Sequence, residues 1–164
     1  MGLLGKFFNQ KSNVIELASP IEGNIISLSQ VPDEAFSSGT IGDGVAIIPT
    51  GDTIYAPCDA EEINIFATNH AISFEIEGEL ELIVHFGIDT VKLNGKGFTR
   101  IAKDGSSVKK GDPLIKFDLD FITNNAKSIK TPVIIANMEL VESISKSSGK
   151  INVGETIMTI KLKK

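Results

Sequence analysis

The apolar and β-branched runs of this chain are short, and turn-forming residues end each of them. Residues 14–18 stop at Ser19 and Pro20, and residues 53–56 stop at Pro57. Further runs of this kind cover residues 23–28, 42–48, 62–68 and 71–76. Short strands separated by close turns are typical of an antiparallel β-sandwich or barrel. The sequence therefore predicts an all-β fold with few short helices, the best helical candidates being residues 120–128 and 138–147.

Length and composition favour one soluble domain. The 164 residues are enough for one well-buried core, and we expect a flexible leader over residues 1–13 and a single domain over residues 14–164. In the leader, an apolar stripe of Leu3, Leu4, Phe7 and Phe8 would allow weak contact with a membrane surface, the alternative being a disordered segment. No run approaches the ~20 apolar residues of a membrane span.

The charge and the cysteine content limit which kinds of partner and which cellular compartment fit this chain. The net charge of −5 argues against nucleic acid as the main partner and suits a partner with a basic face. The single cysteine, Cys58, cannot form an internal disulfide and fits a reducing compartment. We therefore expect a cytoplasmic protein.

Two later segments repeat one pattern. Residues 108–114 and 151–157 each contain an apolar residue, a spacer, a turn of glycine and an acid, and a second apolar residue. Such a turn before a strand is typical of β-sandwich domains that carry lipoyl or biotinyl groups. A carrier needs a lysine at a tight turn, whereas Glu139 follows Met138 at the candidate position. The pattern predicts internal repetition and argues against a carrier.

Residues 79–90 contain the clearest strand. Apolar residues alternate there with polar ones, and the apolar set is Leu80, Leu82, Val84 and Phe86. A period of two indicates a strand with one buried face. His85 falls on the other face, and Gly87 follows it closely. Because backbone can approach closely at a glycine, this strand end is a plausible place for chemistry.

The second histidine of the chain, His70, belongs to the same predicted hairpin. If Glu77 and Gly78 form a two-residue loop, the register places His70 opposite His85. Opposed residues have Cβ atoms ~5 Å apart, so the two imidazoles would be in contact. A loop longer by one residue would break this register.

Two adjacent histidines are compatible with more than one chemistry. A hydrolytic zinc site needs three protein ligands, and Asp89 would have to be the third. Serine hydrolysis is disfavoured because no Gly-x-Ser-x-Gly elbow is present. Phosphoryl transfer through a histidine nitrogen needs one neutral imidazole as nucleophile and a second group that binds the phosphoryl oxygens. Gly95-Lys96-Gly97 lacks the full phosphate-loop patterns and is interpreted as an ordinary loop.

The residues around both histidines resemble a known family. Residues 68–71, 84–91 and 95–98 are similar to motifs of the glucose-type enzyme IIA of the bacterial sugar phosphotransferase system. Shorter matches occur at residues 31–33, 41–44, 56–57, 111–112, 131–133, 137–138 and 153–156. The resemblance covers roughly residues 15–162. It implies an antiparallel β-sandwich with internal repetition.

The resemblance implies a role for three residues in phosphoryl transfer. His85 corresponds to the histidine that is phosphorylated by the phosphocarrier protein HPr and that passes the group to a cysteine on the IIB domain of a glucose-type permease. His70 corresponds to a second histidine that supports the phosphohistidine. Thr68 corresponds to a threonine that hydrogen-bonds the second histidine and fixes its tautomer. No cofactor is required for this transfer.

The resemblance also implies a docking face. Asp33 and Asp89 correspond to acidic residues that meet a basic residue of HPr, and the hydrophobic collar around the site corresponds to Phe36, Ile41 and Phe66. In relatives, this face also binds glycerol kinase and other permeases, and a zinc ion is shared between the two histidines and a partner's carboxylate. Here His70 and His85 would be those two ligands. Thr40 stands where an apolar residue is expected, which puts the regulatory contacts in question.

Two alternatives come from other functional classes. A zinc-dependent hydrolase of a related fold is disfavoured because its His-x-His motif is absent from the sequence. A purely regulatory binding module would have the same face and would not accept phosphate.

Overall fold

The computed structural model describes residues 13–164, and its regular structure is mainly β. The strands are β1 (Val14–Ala18), β2 (Gly23–Ser27), β3 (Asp43–Pro49), β4 (Thr53–Tyr55), β5 (Glu62–Ile65), β6 (Ala71–Ile76), β7 (Leu80–His85), β8 (Phe98–Arg100), β9 (Pro113–Phe117), β10 (Thr131–Ile135), β11 (Val141–Lys146), β12 (Gly149–Ile151) and β13 (Thr156–Leu162). The helices are α1 (Glu34–Ser37) and α2 (Leu119–Asn125), and 3₁₀ turns cover Leu28–Gln30, Glu77–Glu79, Thr90–Leu93 and Met138–Leu140.

The strands form three antiparallel sheets in the described part of the chain. A seven-stranded sheet has the order β12-β2-β3-β10-β7-β6-β5, and two three-stranded sheets have the orders β1-β13-β11 and β4-β9-β8. The apolar faces of these sheets enclose one large cluster of buried residues. The predicted all-β, antiparallel fold with few short helices is therefore confirmed.

Strand β7 lies inside the seven-stranded sheet, between β10 and β6. Its burial alternates as the sequence predicts, and Leu80, Leu82 and Val84 are fully buried while the residues between them are partly exposed. Beyond the strand, the Phe86 ring packs at 4.3 Å from that of Phe117. Burying the apolar face forces His85 onto the opposite face of the sheet.

The predicted register of the β6–β7 hairpin is wrong by one residue. Glu77–Glu79 form a 3₁₀ turn, so the connection has three residues instead of two. Glu79 adopts a φ of +64° to close it. As a result Ala71, and not His70, lies opposite His85. One additional loop residue shifts every cross-strand pair by one position.

One of the two helical candidates is a helix. Helix α2 occupies Leu119–Asn125 and overlaps most of the region predicted for residues 120–128. The Asp118 carboxylate caps the helix by accepting a hydrogen bond from the Phe121 amide. The candidate at residues 138–147 is wrong, because a 3₁₀ turn there leads into β11, which pairs with β13. Pairing with a neighbouring strand outweighs local propensity. The sequence did not predict α1.

The repeated glycine and acid turns each precede a strand. Gly111 and Gly154 both have a φ of +90°, a conformation that glycine adopts without steric cost. They lead into β9 and β13. Of the predicted leader only Asn13 is described, and its carbonyl oxygen accepts a hydrogen bond from the Leu162 amide at 2.7 Å. Leu3, Leu4, Phe7 and Phe8 lie outside the described residues.

Among residues 13–164, none of the helices has the length and apolar character needed to cross a bilayer.

Candidate active site

The two histidines meet at one end of the β6–β7 hairpin. Their ring centroids lie 4.9 Å apart, with the rings nearly perpendicular at 81°. His85 ends β7, whereas His70 lies just before β6 and after Asn69, whose φ is +61°. Because His70 is outside the strand, its ring does not follow the strand's alternation. The expected contact between the imidazoles is thus confirmed, although the register that predicted it is wrong.

The ring of His85 is oriented by a backbone carbonyl. Its Nδ1 lies 2.8 Å from the carbonyl oxygen of Gly87. Since a carbonyl oxygen only accepts hydrogen bonds, Nδ1 must carry the hydrogen. In the neutral ring the lone pair then lies on Nε2. The geometry therefore leaves Nε2 as the ring nitrogen of His85 with a free lone pair.

Gly87 is required at this position by its surroundings. Its φ is +70°, and a Cβ atom there would lie 2.7 Å from the Ser128 carbonyl oxygen and 2.7 Å from Thr90 Cγ2. Its amide donates to the Thr131 hydroxyl oxygen at 3.2 Å, and that hydroxyl donates to the Ile129 carbonyl oxygen at 2.9 Å. These contacts hold the peptide that orients His85.

The ring of His70 is held by a side chain. Its Nδ1 lies 2.5 Å from the hydroxyl oxygen of Thr68. A hydroxyl both donates and accepts, so Thr68 suits either tautomer. When the hydroxyl donates to Nδ1, the Nε2 atom of His70 carries the hydrogen and is available as a donor. Thr68 and His70 are therefore in the contact that the resemblance implies.

The surroundings of both imidazoles favour the neutral form. Burial, and to a smaller extent the neighbouring His85, lowers the pKa of His70 to about 4. Burial also lowers the pKa of His85, while the hydrogen bond to Gly87 and the negative charge of Asp33 act against that shift. A neutral imidazole is the form that carries a nucleophilic lone pair.

The two acidic residues are both partly exposed, and Asp33 lies near His85. Asp33 caps α1 by accepting a hydrogen bond from the Ala35 amide at 3.0 Å, and its charge acts on His85. Asp89 begins the 3₁₀ turn after Ile88 with a φ of +61°. Its carboxylate forms an exposed ion pair with Lys92 at 3.7 Å.

The three collar residues differ in exposure. The Phe36 ring lies 4.9 Å from that of His85 and is only 6% exposed. The Phe66 ring contacts His70 edge-on at 5.7 Å and is 43% exposed. Ile41 is 36% exposed. Phe36 therefore packs against the ring of His85, whereas Phe66 and Ile41 present exposed apolar surface.

The site brings together two side chains of a type that binds metal ions, His70 and His85. Residues 13–164 bring together no group of three His, Cys, Asp or Glu side chains that could hold a metal ion. A hydrolytic zinc site needs three protein ligands. His70 and His85 would hold zinc only together with a ligand from another molecule.

A family model matches most of this chain. Residues 15–141 match the model described as phosphoenolpyruvate-dependent sugar phosphotransferase system, EIIA 1. The chain belongs to this EIIA family. Members of the family take part in phosphoryl transfer to sugars, and the resemblance of the histidine motifs to the glucose-type enzyme IIA is thus confirmed.

Individual EIIA proteins are similar over almost the whole chain. The glucose-specific EIIA component of Haemophilus influenzae is 48% identical over 161 residues, which covers 96% of this chain and 97% of that protein. The corresponding component of Borreliella burgdorferi is 46% identical over 151 residues, covering 92% and 79% respectively.

A fused relative and a solved structure extend the comparison. The N-acetylglucosamine-specific EIICBA component of Klebsiella pneumoniae is 44% identical over 144 residues, which cover 87% of this chain and 22% of that protein. The structure of glucose permease IIA from Mycoplasma capricolum matches with a TM-score of 0.83 and 31% identity, covering 93% of this chain and 97% of that one. The EIIA fold of the chain is thereby shown.

Sequence reasoning missed the residues that hold the histidines in place. The Gly87 carbonyl, the Thr131 hydroxyl and the Thr90 hydroxyl, which donates to the Phe86 carbonyl oxygen at 2.6 Å, are among them. Thr90 and Thr131 are fully buried polar residues. The available sequence signal was the glycine two positions after His85, since it marks a close approach of backbone.

Proposed function

We propose that His85 accepts a phosphoryl group from the phosphohistidine of HPr and passes it to a cysteine on the IIB domain of a glucose-type permease. The observation that carries this proposal is the hydrogen bond from His85 Nδ1 to the Gly87 carbonyl. It leaves the lone pair on Nε2, with the ring of His70 4.9 Å away. The family assignment supports the same reaction class.

The reaction is a pair of in-line displacements at phosphorus. The lone pair on His85 Nε2 forms a bond to phosphorus while the bond between phosphorus and the nitrogen of HPr breaks, and that nitrogen keeps the electron pair. A thiolate of the IIB domain then attacks phosphorus, and the electron pair returns to Nε2. Because both steps exchange one phosphoryl acceptor for another, the protein mainly has to position the groups.

His70 supports the phosphoryl oxygens in this proposal. With the Thr68 hydroxyl donating to Nδ1, the Nε2–H of His70 is free to donate to an oxygen of a group bound on His85. The pKa of His70, about 4 in the unphosphorylated protein, should rise when a phosphoryl dianion is placed beside it, since a nearby negative charge favours the protonated ring. His70 is therefore suited to bind a phosphoryl group in either protonation state.

The surroundings of the histidines suit docking to a protein partner. The exposed apolar side chains of Phe66 and Ile41 would be covered by HPr or the IIB domain, which would exclude water from a labile phosphohistidine. Asp33 and Asp89 would meet basic residues at the edge of that interface. A cytoplasmic location belongs to the same proposal.

A regulatory role of the same face is part of the proposal. Phosphorylation of His85 would add a charge of about −1.5 to −2 next to His70, which the exposed ring of Phe66 contacts. That charge would weaken binding of a partner that covers the apolar surface, so glycerol kinase or another permease would bind the unphosphorylated form. Zinc, if it takes part, would be held by His70, His85 and a carboxylate of such a partner.

The transfer is tested by incubating the protein with phosphoenolpyruvate, enzyme I and HPr and measuring the intact mass. We expect one acid-labile phosphoryl group on the wild type and on a control variant, Glu75→Gln, which changes an exposed residue of β6. His85→Ala should not be labelled. His70→Ala should be labelled but should not pass the group to a IIB domain.

The atom that is phosphorylated provides a second test. Nitrogen NMR of the labelled protein should place the phosphoryl group on Nε2 of His85, because Nδ1 donates to Gly87. An unlabelled wild type, with enzyme I and HPr active on another acceptor, would refute the transfer. Label on Nδ1 would refute the mechanism while leaving the function intact.

A further inference from the structure

The lone arginine of the 164-residue sequence, Arg100, contacts the turn that carries Thr68. Its Nε donates to the Asn69 side-chain oxygen at 2.5 Å. Its Nη2 donates to the Phe66 carbonyl oxygen at 3.2 Å. The guanidinium group therefore contacts both ends of the four-residue turn formed by residues 66–69. Arg100 lies at the end of β8, 31 residues after Asn69.

The turn itself has a defined geometry. The Asn69 amide donates to the Phe66 carbonyl oxygen at 2.7 Å, and the φ of Asn69 is +61°. Asparagine tolerates this left-handed conformation better than most residues. The Phe66 carbonyl oxygen therefore accepts from both Asn69 and Arg100. Thr68 lies inside the turn, and its hydroxyl contacts His70 Nδ1 at 2.5 Å.

The conformation of the loop before β8 brings Arg100 into contact with the turn that carries Thr68. Gly97 has a φ of +89°, and a Cβ atom there would lie 2.8 Å from the Phe121 ring. This close packing against α2 fixes the start of β8, which ends at Arg100. A Cβ atom on Gly95 would lie 3.7 Å from the Asn69 side-chain nitrogen. The glycine-rich, basic stretch therefore places an arginine against the His70 turn.

We propose that Arg100, acting through Asn69, is a positioning residue for His70. It holds the turn so that the Thr68 hydroxyl stays on His70 Nδ1 and the Nε2 atom of His70 stays directed at the phosphoryl site. The effect on phosphoryl transfer rests on the function proposed above. The effect on the tautomer of His70 does not.

The two contacts at this position require the planar guanidinium group of arginine, which carries several hydrogen-bond donors. Arginine presents several N–H donors in one plane, whereas lysine presents a single flexible point charge. Arg100→Lys therefore keeps the charge and removes the two-point contact. Any change in His70 that appears in Arg100→Lys reports geometry instead of charge. Lys103→Ala is the matched control, because it removes a charge from an exposed residue nearby.

The first measurement is nitrogen NMR of the His70 ring at neutral pH. In the wild type we expect the ring nitrogen shifts of a single tautomer, held by the Thr68 hydroxyl on Nδ1. In Arg100→Lys and Arg100→Gln we expect these shifts to move toward a mixture of tautomers. Lys103→Ala should retain the wild-type values.

Variants of Asn69 test the same contact from its other side. Asn69→Gly keeps the left-handed conformation and removes the acceptor, so it should reproduce the ring nitrogen shifts of Arg100→Lys. Asn69→Asp keeps an acceptor for Arg100 and should retain the single tautomer of the wild type. Combining Arg100→Lys with Asn69→Gly should add nothing further, because each change breaks the same contact.

The transfer assay completes the test. Phosphoryl transfer from His85 to the IIB domain should slow on the order of 10- to 100-fold in Arg100→Lys, since small displacements of a positioned group have effects of that size. An unchanged His70 tautomer in folded Arg100→Lys and Asn69→Gly would overturn the positioning role. An altered tautomer with an unchanged transfer rate would overturn its catalytic relevance. A wild type that transfers nothing would refute the proposed function, and the His70 tautomer would still decide the positioning role.

Discussion

The buried hydroxyl of Thr131 offers the sharpest test of how His85 is held. Thr131 is fully buried on β10, and Thr131→Val keeps nearly the same shape while removing the hydroxyl. The Gly87 amide, which donates to it at 3.2 Å, then loses its partner in a buried position. An unsatisfied buried donor costs about 1–3 kcal/mol. For a chain of this size that loss lowers Tm by about 2–4 °C per kcal/mol.

The assay is urea unfolding of the wild type, Thr131→Val and Thr131→Ser. Serine keeps the hydroxyl and loses only a methyl group, so it separates the hydrogen bond from packing. We expect the free energy of unfolding to fall by about 1–3 kcal/mol in the valine variant, and nitrogen NMR to show His85 losing its single tautomer as the Gly87 peptide loosens. Wild-type stability and an unchanged His85 tautomer in Thr131→Val would refute this account.

Three further predictions concern the same histidines. Asp33→Asn keeps the helix cap and removes the charge that raises the pKa of His85, so an NMR titration should show that pKa lower than in the wild type. The pKa of His70 in the folded protein, about 4, lies below the ordinary value of about 6.5. As the pH falls, the unfolded chain therefore binds a proton at His70 before the folded protein does. The free energy of unfolding should consequently fall as pH drops from about 6.5 to 4. Urea midpoints at several pH values should show this slope in the wild type and a smaller slope in His70→Gln, where the lowered pKa of His85 still contributes in the same direction. An equal slope in both proteins would contradict it. Placing an alanine in the left-handed conformation costs about 1–2 kcal/mol. Gly87→Ala should lower the free energy of unfolding by more than this, because its Cβ would also lie 2.7 Å from the Ser128 carbonyl oxygen. A smaller loss in urea unfolding would contradict the rigid packing around Gly87.

Local sequence patterns were sufficient for strands β1 to β7 and for the face on which His85 lies. The alternation along residues 79–86 reports burial directly, because a strand turns successive side chains to opposite faces. The turns of glycine and an acid before β9 and β13 are equally local, since a residue such as Gly111 is needed where φ is positive. The family motifs then identified the histidines.

Other features depended on contacts between distant parts of the chain. The register of the β6–β7 hairpin required Glu79 to adopt a left-handed conformation, which its residue type does not favour. Residues 138–147 contain a strand instead of a helix because β13 pairs with them. Phe36 is buried against His85 only because α1 packs there.

The sequence by itself determined the all-β fold, the burial pattern of β7 and the identity of the two histidines, since each follows from residues that are neighbours in the chain. Only the tertiary structure decided which nitrogen of His85 is free and what holds His70. Those answers depend on contacts such as Gly87 with Thr131 and Asn69 with Arg100, which join residues 44 and 31 positions apart. Such contacts leave no periodic signal in the sequence, because they depend on how separate strands and loops pack together.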